Sequence, residues 1–293
     1  MVEQKFIELF EEYTHSMSPR MPRRVFLERL TVLAGSSAAA YALLPLLENN
    51  YANAETIPAN DPRIKATDET FPATDGVGVK AYVVKAANAT GKLPTVIVIH
   101  ENRGLNPHTE DVARRFALEN FIAFAPDALS STGGYPGDDF KGGELFSKLD
   151  PAKRTQDFVA AARWLKARPE CSGKIASTGF CFGGGLSNTL AVLLGDDLAA
   201  AAPFYGTPAK PEDVPKIKGA MLIHHGGLDK ALAEGYPAQE AELKKNKVRY
   251  EGHVYPNSVH GFFNDATPER YNKTTAQQAW TRTIEWFNQH ARV

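Results

Sequence analysis

A single cysteine between glycines constrains this chain more than any other feature. The stretch Ile175-Ala-Ser-Thr-Gly179-Phe-Cys181-Phe-Gly183 passes from an apolar run into a glycine-rich turn, and a leucine- and alanine-rich segment follows. This order predicts a strand, a tight turn and a helix, with Cys181 at the apex. Gly-x-Cys-x-Gly is the nucleophile-elbow pattern with sulfur in place of the serine oxygen, and bare flanking positions let neighbouring backbone approach. The alternative interpretation is a glycine-rich turn with a buried, inert cysteine.

The composition of the chain narrows the class of protein. With 293 residues, of which 43% are hydrophobic, the chain can bury a sizeable core. Its 33 basic and 34 acidic residues balance, so nothing indicates a nucleic-acid binder. Cys171 and Cys181 lie at opposite ends of the predicted strand, roughly 20 Å apart at about 3.3 Å per residue. A disulfide needs Cα atoms within about 7 Å, so we expect two free thiols.

Residues 1–54 are predicted to be an export segment outside the fold. Arg23-Arg24 precede an uncharged run over 30–47, and Ala52-Asn53-Ala54 supplies a small-x-small cleavage site, as in a secretory signal. The paired arginines resemble a twin-arginine signal, so we expect the twin-arginine export machinery as a partner and a periplasmic or secreted product. A membrane anchor is one alternative, although the run is at the short end of the roughly 17–25 residues that a span needs. An unexported helix is the other.

Residues 55–293 are predicted to form one α/β domain. After a polar surface lead-in over 55–76, short buried strands alternate with helices. Strands are predicted at 79–85, 95–100, 121–125, 174–178, 198–204, 220–225 and 248–255, and helices at 107–120, 151–166, 181–194, 236–246 and 268–289. This alternation indicates a doubly wound, mainly parallel sheet with helices on both faces. The irregular segment 129–150 is typical of a functional cover rather than a core element.

An acid and a histidine follow two later strands. Asp229 comes just past the strand at 220–225, and His260 just past the strand at 248–255. Sites in open α/β sheets lie outside the carboxyl ends of the strands, so we expect these groups to meet Cys181. The order Cys181, Asp229, His260 is that of α/β-hydrolase triads. In that arrangement His260 takes the thiol proton or pairs with a thiolate, Asp229 orients the imidazole, and the thiolate attacks a carbonyl group.

Such a reaction also needs N–H donors for the developing oxyanion. The backbone N–H of Phe182, at the start of the elbow helix, is one candidate. The N–H of Asn102, in the loop after the strand at 95–100, is the second. The adjacent His224 and His225 point to opposite faces of a strand, and no Cys/His/Asp spacing completes a zinc set, so we expect no metal ion.

Residues from about 79 to 290 resemble the dienelactone hydrolase family of α/β-hydrolases. The resemblance rests on Gly179-Phe-Cys-Phe-Gly-Gly184, His100-Glu101, Ala125-Pro126-Asp127, Phe204-Tyr205-Gly206, Gly226-Gly227-Leu228-Asp229 and His260-Gly-Phe. It implies the α/β-hydrolase fold, a cysteine nucleophile with an aspartate and a histidine, and no metal or organic cofactor. It also implies that a glutamate at the position of Glu101 contacts the cysteine and controls its ionisation.

One position departs from the family pattern. Family members that act on dienelactone hold the substrate carboxylate with arginines, one of them four residues after the catalytic histidine, where this chain has Asn264. We therefore expect an apolar ester or lactone as the substrate. The candidate substrate contacts are Tyr135, Tyr205, Phe262, Asn264 and Arg103.

The same residues are compatible with other functions. Thioesterase or acyl-transfer chemistry uses the same triad, and a binding protein with a thiol-responsive or structural Cys181 would need no catalysis. We predict a hydrolase of carboxylic esters or lactones that works through an acyl-thioester. Its expected partner is a small-molecule substrate, and the expected assembly is a monomer or a small homo-oligomer.

Overall fold

The computed structural model describes residues 3–15, 21–51 and 54–292. Within this part of the chain the strands are β1 (Ile64–Pro72), β2 (Gly78–Ala86), β3 (Leu93–Ile99), β4 (Ile122–Pro126), β5 (Cys171–Phe180), β6 (Ala200–Phe204), β7 (Ala220–Gly226) and β8 (Tyr250–Tyr255). The helices are α1 (Gln4–His15), α2 (Arg23–Ala34), α3 (Ser37–Leu47), α4 (Pro107–Leu118), α5 (Asp139–Ser147), α6 (Pro151–Lys166), α7 (Phe182–Leu194), α8 (Lys230–Lys245) and α9 (Lys273–Ala291).

The strands form one eight-stranded sheet in the order β1-β2-β4-β3-β5-β6-β7-β8. The pairs from β4 through β8 are parallel, whereas β2 runs antiparallel to both β1 and β4. The predicted mainly parallel α/β sheet is therefore confirmed. The chain passes from β3 to β4 and then crosses back to β5, so the direction of winding changes between β3 and β5. Such a switch point opens a crevice at the carboxyl ends of the strands.

Two apolar cores lie on opposite faces of the sheet. Helices α4 and α9 cover one face, and α6, α7 and α8 cover the other. The central strand β3 is buried from both sides, with no exposed surface on any residue from Val96 to Ile99. Burying each such side chain contributes about 1.5–3 kcal/mol, which explains why β-branched residues fill this strand. Cys171 and Cys181 lie at the two ends of β5 and are both free thiols, as predicted.

Several elements differ from the sequence prediction. The lead-in over 55–76 contains β1, an edge strand in which Ile64 and Phe71 are buried and the intervening residues are mostly exposed. The segment 129–150 contains α5, which begins where the Asp138 side chain accepts the N–H of Lys141. Helix α8 begins earlier than predicted and continues through Pro237, and α9 begins later.

The described part of residues 1–54 forms three helices, and α1 contacts the domain through Phe10, which packs against Arg103 and Arg270. We call α1, α2 and α3 the N-terminal cap, because their apolar faces form one cluster with Phe140 of α5. Phe10, Phe26 and Leu30 are almost fully buried in that cluster. Ala52 and Asn53 of the predicted cleavage site lie outside the described residues. No helix in the described ranges is long and apolar enough to cross a membrane, and the role of the segment in export stays a prediction.

We expect Gly184→Ala to destabilise the protein and Gly185→Ala to be tolerated. A Cβ at Gly184 would lie 2.3 Å from the carbonyl oxygen of Phe204, whereas one at Gly185 would find its nearest neighbour, the N of Thr207, at 3.5 Å. Overpacking predicts a loss of about 1–3 kcal/mol in the free energy of unfolding for Gly184→Ala. Better helix propensity predicts no loss for Gly185→Ala. Urea denaturation measures both, and equal destabilisation would contradict the packing argument.

Candidate active site

Cys181 occupies a strained turn between β5 and α7. Its backbone has φ 54° and ψ −111°, a conformation that residues with a Cβ seldom adopt. Its N–H donates to the carbonyl oxygen of Phe204 at 3.1 Å, which ties the turn to β6. A Cβ at Gly179 would lie 2.3 Å from the oxygen of Gly183, and one at Gly183 would lie 2.3 Å from the oxygen of Ile99. Only glycine permits these approaches, which hold the thiol at the end of the sheet.

Asp229 and His260 meet beside this turn. Asp229 follows β7 and immediately precedes α8, and His260 lies in the loop after β8. The two loops are joined because the N–H of Leu228 donates to the oxygen of Ser258 at 3.0 Å. Nδ1 of His260 then lies 2.6 Å from Oδ2 of Asp229, a distance typical of a charge-assisted hydrogen bond. The carboxylate therefore fixes the orientation of the ring and leaves Nε2 to interact elsewhere.

The imidazole of His260 also interacts with Cys181. Burial lowers the pKa of His260, but the negative charge of a Cys181 thiolate, the hydrogen bonds to Asp229 and Cys181, and the charge of Asp229 together raise that pKa well above its usual value. Cys181 is half-buried and thus accessible. The structure thereby brings together the three residues that the sequence proposed as a triad. The imidazolium form of His260 is favoured whenever the sulfur is ionised.

The two candidate oxyanion donors lie at the same cavity as Cys181. Phe182 is the first residue of α7, and the first N–H groups of a helix have no acceptor within that helix. Asn102 follows the end of β3, the strand next to β5. Both residues line the cavity above the sulfur. The positive end of the α7 dipole also favours negative charge here.

Tyr205 is a further polar group beside the sulfur. Its ring packs on His260 with centroids 4.8 Å apart, and its hydroxyl is buried with no hydrogen-bond partner among the described residues. Burial, followed by the charges of Glu101 and Cys181, raises the pKa of Tyr205 well above its usual value, so the hydroxyl remains a donor. Glu101 is itself buried. Its direct contact with the thiol, which the family resemblance implies, stays a prediction.

The cavity above Cys181 has a volume of about 700 Å³. Of the five predicted substrate contacts, Tyr205 lines it. Tyr135 and Arg103 instead line a neighbouring cavity of about 300 Å³, where both bind Asp139, at 2.8 Å and 3.2 Å. Phe262 and Asn264 have no exposed surface, and the structure does not bring either of them to the cavity.

Sequence reasoning missed residues that do line the cavity. Glu8, Glu11 and Glu12 of α1 form part of its wall, as does the first turn of α8. The apolar spacing of Phe6, Phe10 and Tyr13 was an available signal, because positions i, i+4 and i+7 share one face of a helix. Among the described residues, no group of three or more His, Cys, Asp or Glu side chains is arranged to hold a metal ion.

Comparisons with known proteins agree on one family. The model of the dienelactone hydrolase family matches residues 79–291. A "Putative carboxymethylenebutenolidase" of Yersinia pestis is 30% identical over 236 residues, covering 76% of this chain and 88% of that protein. A "Putative hydrolase fragment" of Escherichia coli K12 is 55% identical over 113 residues, which are 38% of this chain and 97% of the fragment.

A solved structure supports the same fold. The "Putative Dienelactone Hydrolase" of Klebsiella pneumoniae matches with a TM-score of 0.70 and 28% identity, covering 78% of this chain and 99% of that chain. The family match begins at residue 79, after the N-terminal cap and β1. The cap therefore lies outside the matched family domain, although it lines the same cavity.

We expect Cys181→Ala to lower the pKa of His260. The substitution removes the negative charge and the hydrogen bond that oppose the effect of burial. Histidine side-chain NMR across a pH titration measures the shift. Cys171→Ala is the matched control, since it removes a thiol at the far end of β5 and should leave the pKa of His260 unchanged. The same His260 pKa in the wild type and in Cys181→Ala would contradict the contact.

Proposed function

Because the chain belongs to the dienelactone hydrolase family and is a hydrolase of the α/β-hydrolase fold, we propose that it cleaves carboxylic esters or lactones through an acyl-thioester on Cys181. The observation that carries the proposal is that the imidazole of His260 contacts both Asp229 and Cys181. His260 binds Asp229 at 2.6 Å through Nδ1 and interacts with Cys181 as well. Acyl transfer requires a nucleophile in contact with a base, and an acid that orients that base.

In the acylation step the Cys181 thiolate attacks the carbonyl carbon of the substrate. A C–S bond forms, and the carbonyl π electrons move to oxygen, where the N–H groups of Phe182 and Asn102 stabilise the negative charge. When the tetrahedral intermediate collapses, the C–O bond to the leaving group breaks. The His260 imidazolium protonates the departing alkoxide, which leaves as an alcohol or, from a lactone, remains attached as a hydroxyl group.

In the deacylation step His260 removes a proton from water, and the resulting hydroxide attacks the thioester carbonyl. The C–S bond breaks, the acid is released, and the thiolate re-forms beside the protonated imidazole. The raised pKa of His260 suits both steps, because part of it depends on the charge of Cys181. Once the sulfur is acylated that charge is gone, the pKa of His260 falls, and the ring becomes available as a base.

The cavity supports a small-molecule substrate. Its volume of about 700 Å³ lies in the range of pockets that hold drug-sized ligands. Its lining combines apolar side chains such as Leu186 and Leu232 with the polar groups around the sulfur. Small carboxylic esters and lactones carry one electrophilic carbonyl group within a mainly apolar body, which matches this distribution.

We propose separately that residues 1–54 direct export by a twin-arginine route, giving a periplasmic or secreted enzyme. The support is the arginine pair at the start of α2. Arg24 is exposed, and the guanidinium of Arg23 lies over the ring of Phe140, 4.8 Å from its centroid. Recognition of both arginines would require Arg23 to leave Phe140, whereas Arg24 is already exposed.

We expect Cys181→Ala to lower kcat for a short aryl ester by roughly 10⁴-fold or more, because alanine has no nucleophilic atom to attack the carbonyl carbon. Mass spectrometry of the wild type during turnover should find the acyl mass on the peptide containing Cys181. Cys171→Ala is the control for a lost thiol and should retain turnover. Undiminished turnover in Cys181→Ala, or an adduct elsewhere, would rule the mechanism out in favour of a structural or thiol-responsive cysteine.

We expect the double variant Arg23→Lys, Arg24→Lys to remain inside a bacterium that has a twin-arginine pathway, while the wild type is exported. A lysine pair keeps the charge but lacks the guanidinium groups that define the signal. Cell fractionation and immunoblotting measure the distribution. Arg29→Lys, in the same helix but outside the pair, is the control and should be exported normally. Equal distribution of the wild type and the double variant would contradict this route.

A further inference from the structure

The cavity above Cys181 has a wall that comes from outside the family domain. The side chains of Glu8, Glu11 and Glu12 stand at positions i, i+3 and i+4 of α1 and line the same space as Cys181 and His260. The family match begins only at residue 79. Any substrate that reaches the sulfur therefore fits between the α/β domain and this helix.

Aromatic contacts hold α1 over the cavity. Phe10 is almost fully buried, and its ring centroid lies 5.9 Å from the Cζ atom of Arg103 and 5.6 Å from that of Arg270. Cation–π contacts of this kind contribute most when they are desolvated, and both arginines are buried. On the same face of the helix, Tyr13 stacks on Phe26 of α2 with ring centroids 4.3 Å apart. Glu11 follows Phe10 directly, so the anchor of the helix also fixes the position of this carboxyl group.

The charged groups around Glu11 make the cavity acidic. Burial raises the pKa of Glu11 to about 7; His260 and Arg270 act against this shift, and Asp229 and Glu8 add to it. Of the remaining charged groups in the lining, Glu12 is acidic and Lys230 is basic. Arg103 is already paired with Asp139 at 3.2 Å and lines the neighbouring cavity. Carboxylates thus outnumber cations around the space that an acyl group would enter.

We propose that Glu11 is a specificity-determining residue that makes the enzyme discriminate against esters and lactones carrying a carboxylate, in favour of neutral and cationic ones. The inference rests on the proposed ester hydrolysis at Cys181. A substrate carboxylate in the cavity would face Glu11 in a partly desolvated space, where like charges repel far more strongly than in water. A quaternary ammonium group in the same place would be attracted.

The test uses the full chain and three p-nitrophenyl esters of similar size with different acyl ends. One acyl group ends in a methyl group (valerate), one in a carboxylate (hydrogen succinate) and one in a trimethylammonium group (4-trimethylammoniobutyrate). The measured quantity is kcat/KM for each ester, expressed relative to the neutral one. In the wild type we expect kcat/KM to be highest for the cationic ester, lower for the neutral ester and lowest for the anionic ester. In Glu11→Gln the anionic-to-neutral ratio should rise about 10-fold, because one repulsive charge at close range has been removed.

A pH series provides a second readout. As the pH rises through about 7, Glu11 ionises, and the wild-type preference for the neutral over the anionic ester should increase. Titration of His260 and Cys181 occurs in both proteins, so the comparison of the wild type with Glu11→Gln isolates the contribution of Glu11. The other groups that face Glu11, namely Asp229, Arg270, Glu8, Glu12 and Lys230, are common to both proteins. The increase should be absent in Glu11→Gln.

The matched control is Glu3→Gln, the same change at an exposed position just before α1. It should leave the ratios as in the wild type. If the anionic-to-neutral ratio is the same in Glu11→Gln and the wild type while turnover still depends on Cys181, the role of Glu11 is overturned. The proposed ester hydrolysis then stands. Turnover that persists in Cys181→Ala overturns the proposed hydrolysis instead, so the two failures are distinguishable.

Discussion

The backbone conformation of Cys181 is the constraint on which the rest of the site depends. A non-glycine residue at φ 54° costs of order 1–3 kcal/mol and persists only where the surroundings enforce it. Here the enforcement comes from Gly179, Gly183 and Gly184, whose missing side chains let the backbones of β3, β5 and β6 meet. The same contacts set the sulfur, the Asn102 loop and Tyr205 at one end of the sheet. The strain is therefore stored at the residue that we propose as the nucleophile, and the packed strands sustain it.

Most of the α/β domain follows from the sequence because its strands are short apolar runs buried on both faces. The β-branched residues 96–99 are typical of a strand that is buried on both faces of a sheet. The edge strand β1 was not predictable in the same way, since only Ile64 and Phe71 are buried and the polar residues between them face solvent. The N-terminal cap was missed for a different reason. An arginine pair and an alanine-rich run are typical of an export signal, whereas the amphipathic spacing in α1 does not specify which surface its apolar face packs against.

The candidate site could be predicted as far as chain order and strand ends determine it. Cys181, Asp229 and His260 each follow a parallel strand, and the carboxyl ends of parallel strands lie at the same edge of the sheet. The orientation of side chains in the surrounding loops is determined by tertiary packing instead. Phe262 lies two residues from His260 yet points into the core against Tyr205 and Tyr255. The helical spacing of α1 can be seen in the sequence, but its placement over Cys181 cannot, because α1 lies more than 150 residues away from that cysteine in the chain.

The cap is connected to the domain near Ala54, where the export hypothesis places the cleavage site. Cutting the chain after Ala54 would release α1 together with Phe10 and Glu11, uncovering the guanidinium groups of Arg103 and Arg270. The cavity above Cys181 would lose Glu8, Glu11 and Glu12 from its wall and would become less acidic. A precursor and its processed product would then accept different substrates while sharing one catalytic apparatus. Since a severed peptide bond does not re-form, the change would run in one direction only.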